Sequence, residues 1–177
     1  MLLFVLLTTG LVNYADNGYR LWLKYDKLQD RKLVAIYKNK MQEISLHGNS
    51  PTIQKAKEEI TSASQGLLDV TPKWTSGNTI NSNLLIGTPA ADAHIASMHL
   101  PELDQVKDDG YIIVNKPING KICTIITAKT DMGILYGVFE FLRLLKTSQD
   151  ISASHIISSP KIKFRLLNHW DNLNRSV

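Results

Sequence analysis

At 177 residues the chain is long enough to bury one sizeable core. With 44% apolar and 20% charged residues it has the composition of a folded protein and not of a disordered one. A net charge of +4 and a pI near 9.1 would suit nucleic acid only if the basic residues were clustered with aromatics. They are spread along the chain, and Asp26 and Asp30 interrupt the densest stretch, Lys24 to Lys40, so a solvated surface is expected and no nucleic-acid partner.

The chain opens on an apolar run, Met1 to Leu7, too short to span a bilayer. Followed by Thr8, Thr9, Gly10 and Ala15, residues 1–15 read as a possible secretory signal lacking its basic leader, or as an N-terminal strand packed on the domain. Tyr19 to Tyr25 alternates apolar with other residues and predicts an extended segment. Asp30 to Asn39 carries Leu33, Ile36 and Tyr37 at helical spacing. Glu43 to His47 reads as a short strand and Gly48-Asn49 as a turn. Ser50-Pro51 predicts a helix start, because serine accepts a bond from a free backbone N–H and proline gives up a donor that had no partner. Ile53, Ala56, Ile60, Ala63 and Leu67 then form the apolar stripe of that helix. Lys55, Lys57, Glu58 and Glu59 form its wet side, and Gly66 weakens the last turn.

Asn83 to Gly87 is a short apolar strand. Asp108-Asp109-Gly110 reads as a turn and not as a catalytic pair. Tyr111 to Asn115 and Lys121 to Thr127 flank Asn119-Gly120, the strongest two-residue hairpin signal. The single cysteine, Cys123, excludes an intrachain disulfide and a Cys-rich zinc site. Its apolar setting suits a buried structural thiol. Thr130 or Asp131 caps a helix whose apolar residues, from Ile134 to Leu145, cover more than half its girth. Gly133 and Gly137, one turn apart, cost helix propensity, so a close approach to the sheet is expected there. Ile151 to Pro160 reads as a serine-rich connector, and Ile162 to Leu167 as a strand followed by the polar and aromatic cluster Asn168 to Asn172. Alternating strand and helix signals predict a mixed α and β domain.

His94 and His99 miss the four-residue spacing of zinc-binding histidines, and no serine elbow, phosphate loop or dinucleotide fingerprint is present. No metal and no cofactor are expected. Trp22 and Trp74 read as core or interdomain packing.

Two stretches carry a family likeness. Asp16-Asn-Gly-Tyr-Arg-Leu-Trp-Leu-Lys-Tyr-Asp26 and Phe164-Arg-Leu-Leu-Asn-His-Trp-Asp-Asn172 resemble α-glucuronidases of glycoside hydrolase family 67. The helix from Lys129 to Arg143 is similar to the one that closes that family's N-terminal domain. The resemblance implies an α+β unit over residues 16–160, a mixed sheet with helices packed on it, akin to the N-terminal domain of hexosaminidases. It implies that residues 161–177 begin a (β/α)8 barrel, of which Phe164 to Leu167 would be the first strand. Such a barrel needs about 250 residues, and the two carboxyl groups that glycoside hydrolysis requires come in this family from later strands. The chain is therefore expected to hold no catalytic residue and to be inactive alone.

The activity implied for the whole enzyme is inverting cleavage of the α-1,2 bond between (4-O-methyl)glucuronic acid and xylose in glucuronoxylan-derived oligosaccharides. A homodimer is implied with it; the signal-like N-terminus points to a secreted or periplasmic protein, and no membrane partner is expected. At the barrel rim, Trp170 is the candidate for a substrate contact, its indole face suiting a sugar ring, or else it packs against neighbouring loops. Asp171 and Asn172 would bind sugar hydroxyls or order the rim, and His169 would contact substrate or serve structurally. A stand-alone carbohydrate-binding module is the competing expectation, weakened by an aromatic content of only 7%. A scaffold that packs on a barrel is a third, signalled by an exposed apolar patch.

Overall fold

The computed structural model describes residues 24–75 and 82–162. The elements run α1 (Arg31–Gln42), β1 (Glu43–Leu46), α2 (Pro51–Leu68), β2 (Lys73–Thr75), β3 (Leu84–Ile86) and α3 (Ala93–Ser97). A 3₁₀ helix (Pro101–Gln105), β4 (Tyr111–Ile118), β5 (Lys121–Ala128), α4 (Asp131–Lys146) and β6 (His155–Ser158) follow. The strands form one six-stranded mixed sheet in the order β2-β1-β3-β5-β4-β6. Strands β2, β1, β3 and β5 run parallel, while β4 lies antiparallel to both β5 and β6. The expected mixed sheet with helices packed on it is thus present; the proposed barrel strand lies outside the described residues.

Local chemistry accounts for the element ends. Ser50 Oγ accepts from the Ile53 N–H at 3.2 Å, and Pro51 takes the first position of α2. Of the two candidate caps for α4, Thr130 serves, its Oγ1 accepting from the Gly133 N–H. Asn119 and Gly120 both adopt positive φ, +49° and +78°, the conformation that a tight two-residue hairpin demands. The predicted turn at Asp108-Asp109-Gly110 closes through the Gly110 N–H on the Lys107 carbonyl at 2.8 Å.

Side-chain alternation along the strands splits the core in two. One face of the sheet presents Ile44, Leu84, Ile86, Ile113, Ile126 and Ala128 to helices α1, α2 and α4. The other presents Leu85, Ile112, Val114, Cys123 and Ile125, covered by Ile95 of α3 and by Leu100, Leu103 and Val106 around the 3₁₀ helix. Each such aliphatic side chain, removed from water, contributes about 1.5–3 kcal/mol before entropy is charged against it. The glycines of α4 let this packing close. A Cβ on Gly133 would strike the Gly110 carbonyl oxygen and come within 2.7 Å of Ala128 Cβ, and one on Gly137 would meet Ile126 Cγ2 at 2.7 Å.

Several expectations need correction. The supposed connector Ile151 to Pro160 contains β6, an edge strand whose Ile156 lies opposite Ile113 and joins the larger core. Only two isoleucines in that stretch are strand-like, and the flanking serines mask them. Helix α1 extends to Gln42 and is buried through Tyr37, Lys40 and Met41, whereas Ile36 is 39% exposed. Glu59 is not on the wet side of α2: its side chain is 8% exposed, held by Lys55 Nζ at 3.0 Å and by the Tyr25 hydroxyl at 3.3 Å. Gly66 does more than weaken a turn, since the Tyr25 backbone lies where a Cβ would project. Strand β2, α3 and the 3₁₀ helix carry neither an uninterrupted apolar run nor a full helical period, since each spans at most five residues. Of the extended segment Tyr19 to Tyr25, only Lys24 and Tyr25 are described, and neither is in a strand.

Candidate functional site at the carboxyl ends of the parallel strands

In open sheets with parallel strands, ligands settle where successive connections leave in opposite directions. Here β1 leads through α2 to β2 on one side, while β3 lies on the other side of β1. The carboxyl ends of β1 and β3 therefore define the switch point. The His47 N–H donates to the Ile86 carbonyl at 2.9 Å, carrying the ladder just past both strands.

A Ser-His-Asp cluster occupies this place. His47 Nε2 lies 2.7 Å from Ser45 Oγ and 3.2 Å from Asp92 Oδ2. The other carboxylate oxygen of Asp92 accepts from the Ile95 N–H at 2.8 Å and caps α3. The residue types are those of a nucleophilic triad, but the arrangement is not. A relay needs the serine on one ring nitrogen and the carboxylate on the other; here both address Nε2. A proton on Nε2 points between the carboxylate and the hydroxyl and leaves no lone pair there to deprotonate Ser45. The cluster ties the loop from Gly87 to Asp92 onto the end of β1, and Ser45 is almost wholly buried. Sequence reasoning passed over it because Ser45, His47 and Asp92 form no local motif.

Along the same edge of the sheet lies a hollow of about 620 Å³ beside Asp108, Asp109, Lys129 and Pro160. Its walls are knitted together by hydrogen bonds between side chains and backbone. Lys129 Nζ donates to the Val106 carbonyl at 2.8 Å, Thr130 Oγ1 to the Asp108 carbonyl at 2.6 Å, and the Lys107 N–H to Ser159 Oγ at 2.9 Å. A second hollow of about 370 Å³ shares Asp109 and Pro160 and runs beside α4 past Tyr111, Tyr136 and Phe139. Arg143 and Glu140 bound it through a bidentate pair of 2.7 and 2.6 Å. Burial raises the Tyr111 phenol above its ordinary range, so it stays neutral there. With Tyr111, Tyr136, Phe139 and Pro160 in its wall, this is a largely aromatic surface framed by a fixed ion pair. Its chemistry is that of a packing surface.

The sequence candidates His169, Trp170, Asp171 and Asn172 lie outside the described residues, as does the signal-like segment 1–15. Among the described residues there is no group of three or more His, Cys, Asp or Glu placed to hold a metal ion. No helix among them is long and apolar enough to cross a membrane. His94 and His99 stand apart in role: one lies in α3, and the ring of the other bonds the Ser97 carbonyl oxygen at 2.7 Å. Trp74 is partly buried against the larger core, with Lys57 Nζ 5.1 Å from its ring centre.

Cys123 is buried in the smaller core, and that burial pushes its thiol up to about 11, outweighing the pull of the Lys40 ammonium. The unfolded thiol ionises near 8.5. The folded state keeps the proton that the unfolded state loses, so the thiol's contribution is complete below about pH 8.5 and is lost as pH rises toward 11. Unfolding free energy is expected to fall by about 1.5 kcal/mol between pH 8.5 and 10 from this group. Urea denaturation at both pH values checks it: Cys123→Ala should flatten the slope, and an equal slope in the variant would refute the assignment.

The chain matches the family model described as Glycosyl hydrolase family 67 N-terminus over residues 21–141. It is 26% identical to a probable alpha-glucuronidase A of Aspergillus clavatus over 172 residues, covering 92% of this chain and 19% of that protein. It is 28% identical to a probable alpha-glucuronidase A of Neosartorya fischeri over 185 residues, covering 98% of this chain and 20% of the relative. The chain thus spans about a fifth of the length of these relatives. Among solved structures, a family GH115 4-O-methyl-alpha-glucuronidase with specificity for decorated arabinogalactans aligns with a TM-score of 0.49 and 19% identity, over 59% of this chain and 13% of that one. The family match runs from ahead of α1 to Phe141 in α4, well over half the chain, and so the chain belongs to the N-terminal domain family of glycosyl hydrolase family 67.

Proposed function

We propose that this chain is the N-terminal accessory domain of an α-glucuronidase that hydrolyses the α-1,2 bond between (4-O-methyl)glucuronic acid and xylose in xylo-oligosaccharides. The observation that carries the reading is the family match over residues 21–141, joined by relatives named as alpha-glucuronidases that the chain matches along nearly all its own length. On this reading the chemistry, inverting and carried by two carboxyl groups, belongs to a (β/α)8 barrel that residues 161–177 begin. Trp170, Asp171, Asn172 and His169 line the sugar site at its rim. The domain alone is inactive, and the whole enzyme is a secreted or periplasmic homodimer that acts in xylan breakdown.

A scaffold role accompanies this one. The aromatic surface of Tyr111, Tyr136 and Phe139 and the exposed Ile162 favour packing against another protein surface at this end of the sheet.

The test is release of glucuronic acid from aldouronic acid oligosaccharides. The chain alone is compared with a chimera in which it replaces the matching fifth of the Neosartorya fischeri relative. An inactive chain with an active chimera is the expected result. Activity of the chain alone would overturn the accessory reading, and a folded but inactive chimera would overturn the glucuronidase assignment.

A further inference from the structure

At the opposite edge of the sheet, where the parallel strands begin, lies a polar hollow of about 630 Å³ with Lys40 and Ile122 in its wall. Lys40 is only 9% exposed, yet it has no carboxylate partner among the described residues. Its Nζ donates to the Ile122 carbonyl at 2.8 Å, which occupies one of its three N–H bonds. A buried ammonium with no counter-ion is costly, and burial does lower its proton affinity. Its place in the last turn of α1 works the other way, because the carbonyl end of a helix favours positive charge.

The surroundings of Lys40 select among anions. Lys121 adds a second positive charge, while Glu43 contributes a carboxylate that Lys73 holds at 3.3 Å. With Glu43 neutralised by Lys73, Lys40 and Lys121 leave the hollow net positive and suited to an anion. The side-chain amides of Asn39 and Gln42 line the hollow and have no hydrogen-bond partner among the described residues. Asn83 Nδ2 donates to the Asn39 carbonyl at 2.7 Å, which leaves its Oδ1 as an acceptor. Amides offer both donors and acceptors, as hydroxyl groups require. Ile122, 54% exposed, supplies an apolar patch for ring C–H groups. The volume falls within the range of small-molecule sites.

We propose that this hollow binds a sugar acid of the uronic type, its carboxylate on Lys40 and its hydroxyls on the amides of Asn39, Gln42 and Asn83. The carboxylate part stands on the geometry of Lys40; the uronic part rests on the reading of the chain as an α-glucuronidase domain. The site lies at the end of the sheet remote from Pro160 and Ile162, which line the hollow beside Lys129.

The experiment is a titration of the ¹⁵N-labelled 177-residue chain with glucuronate, glucose and acetate, followed by amide chemical shifts. Glucuronate is expected to give saturable shifts at Lys40, Asn83 and Ile122, with glucose giving none at equal concentration. Lys40→Met should weaken glucuronate at least tenfold at an unchanged unfolding midpoint. Should that variant fail to fold, the double substitution Asn39→Ala and Gln42→Ala alters exposed side chains only, and it should weaken glucuronate while sparing acetate. Absence of saturable shifts, equal response to glucose, or indifference to both variants overturns the site. Acetate binding as tightly as glucuronate overturns the sugar part. None of these results depends on the chimera's activity, so failure here and failure of the glucuronidase reading are told apart.

Discussion

Replacing Phe141 with alanine is expected to lower the unfolding free energy by about 3–5 kcal/mol. Its ring is fully buried in the larger core, on the helix that packs against both α2 and the sheet. The loss has two parts: the transfer free energy of the ring, and the cavity left behind, because neighbours on two helices and a sheet cannot all close in on it. Against the 5–15 kcal/mol that typically holds a domain together, this is about a fifth of the stability or more. Urea denaturation reads it as a lower midpoint at an unchanged slope. A loss below about 1 kcal/mol would mean that α4 is not seated on the sheet by this face.

Replacing Gly133 with alanine sets two effects of opposite sign against each other. Helix propensity favours alanine by about 1 kcal/mol. The new methyl group, however, would strike the Gly110 carbonyl oxygen and approach Ala128 Cβ at 2.7 Å, both parts of or next to sheet backbone that cannot swing aside. Overpacking of this kind costs about 1–3 kcal/mol, occasionally more, so a net loss is expected. Gly137→Ala should cost less, because what it meets, Ile126 Cγ2 at 2.7 Å and the Tyr111 side chain beyond 3 Å, can turn away in part. Thermal unfolding of the two variants beside the parent gives the order. A Gly133→Ala chain that is more stable than the parent would show that propensity governs and that the helix stands further from the sheet.

That close approach was legible in the amino acids, since two glycines one turn apart in an otherwise apolar helix are hard to account for any other way. The Ser50-Pro51 start and the Asn119-Gly120 hairpin were legible for the same reason: the chemistry that sets them lies within a few neighbouring residues. So was the family, through segments whose residue order is distinctive. Short elements without an apolar run of their own were not. Two isoleucines among serines become a strand only because β4 offers its free edge and the core offers a place for Ile156.

The same division runs through the candidate sites. Sequence by itself determined the helices with strong periodicity, the hairpin, the buried thiol and the family to which the domain belongs. Only the tertiary structure decided which strands run parallel, that Ser45, His47 and Asp92 meet on one ring nitrogen, that Glu59 turns inward to Tyr25, and that Lys40 is buried beside Ile122 with no carboxylate partner among the described residues. The physical reason is range. Caps, turns and periodicity act over about one helical turn, whereas charge pairing and burial depend on residues brought together from distant parts of the chain, and nothing in the local order of amino acids records that meeting.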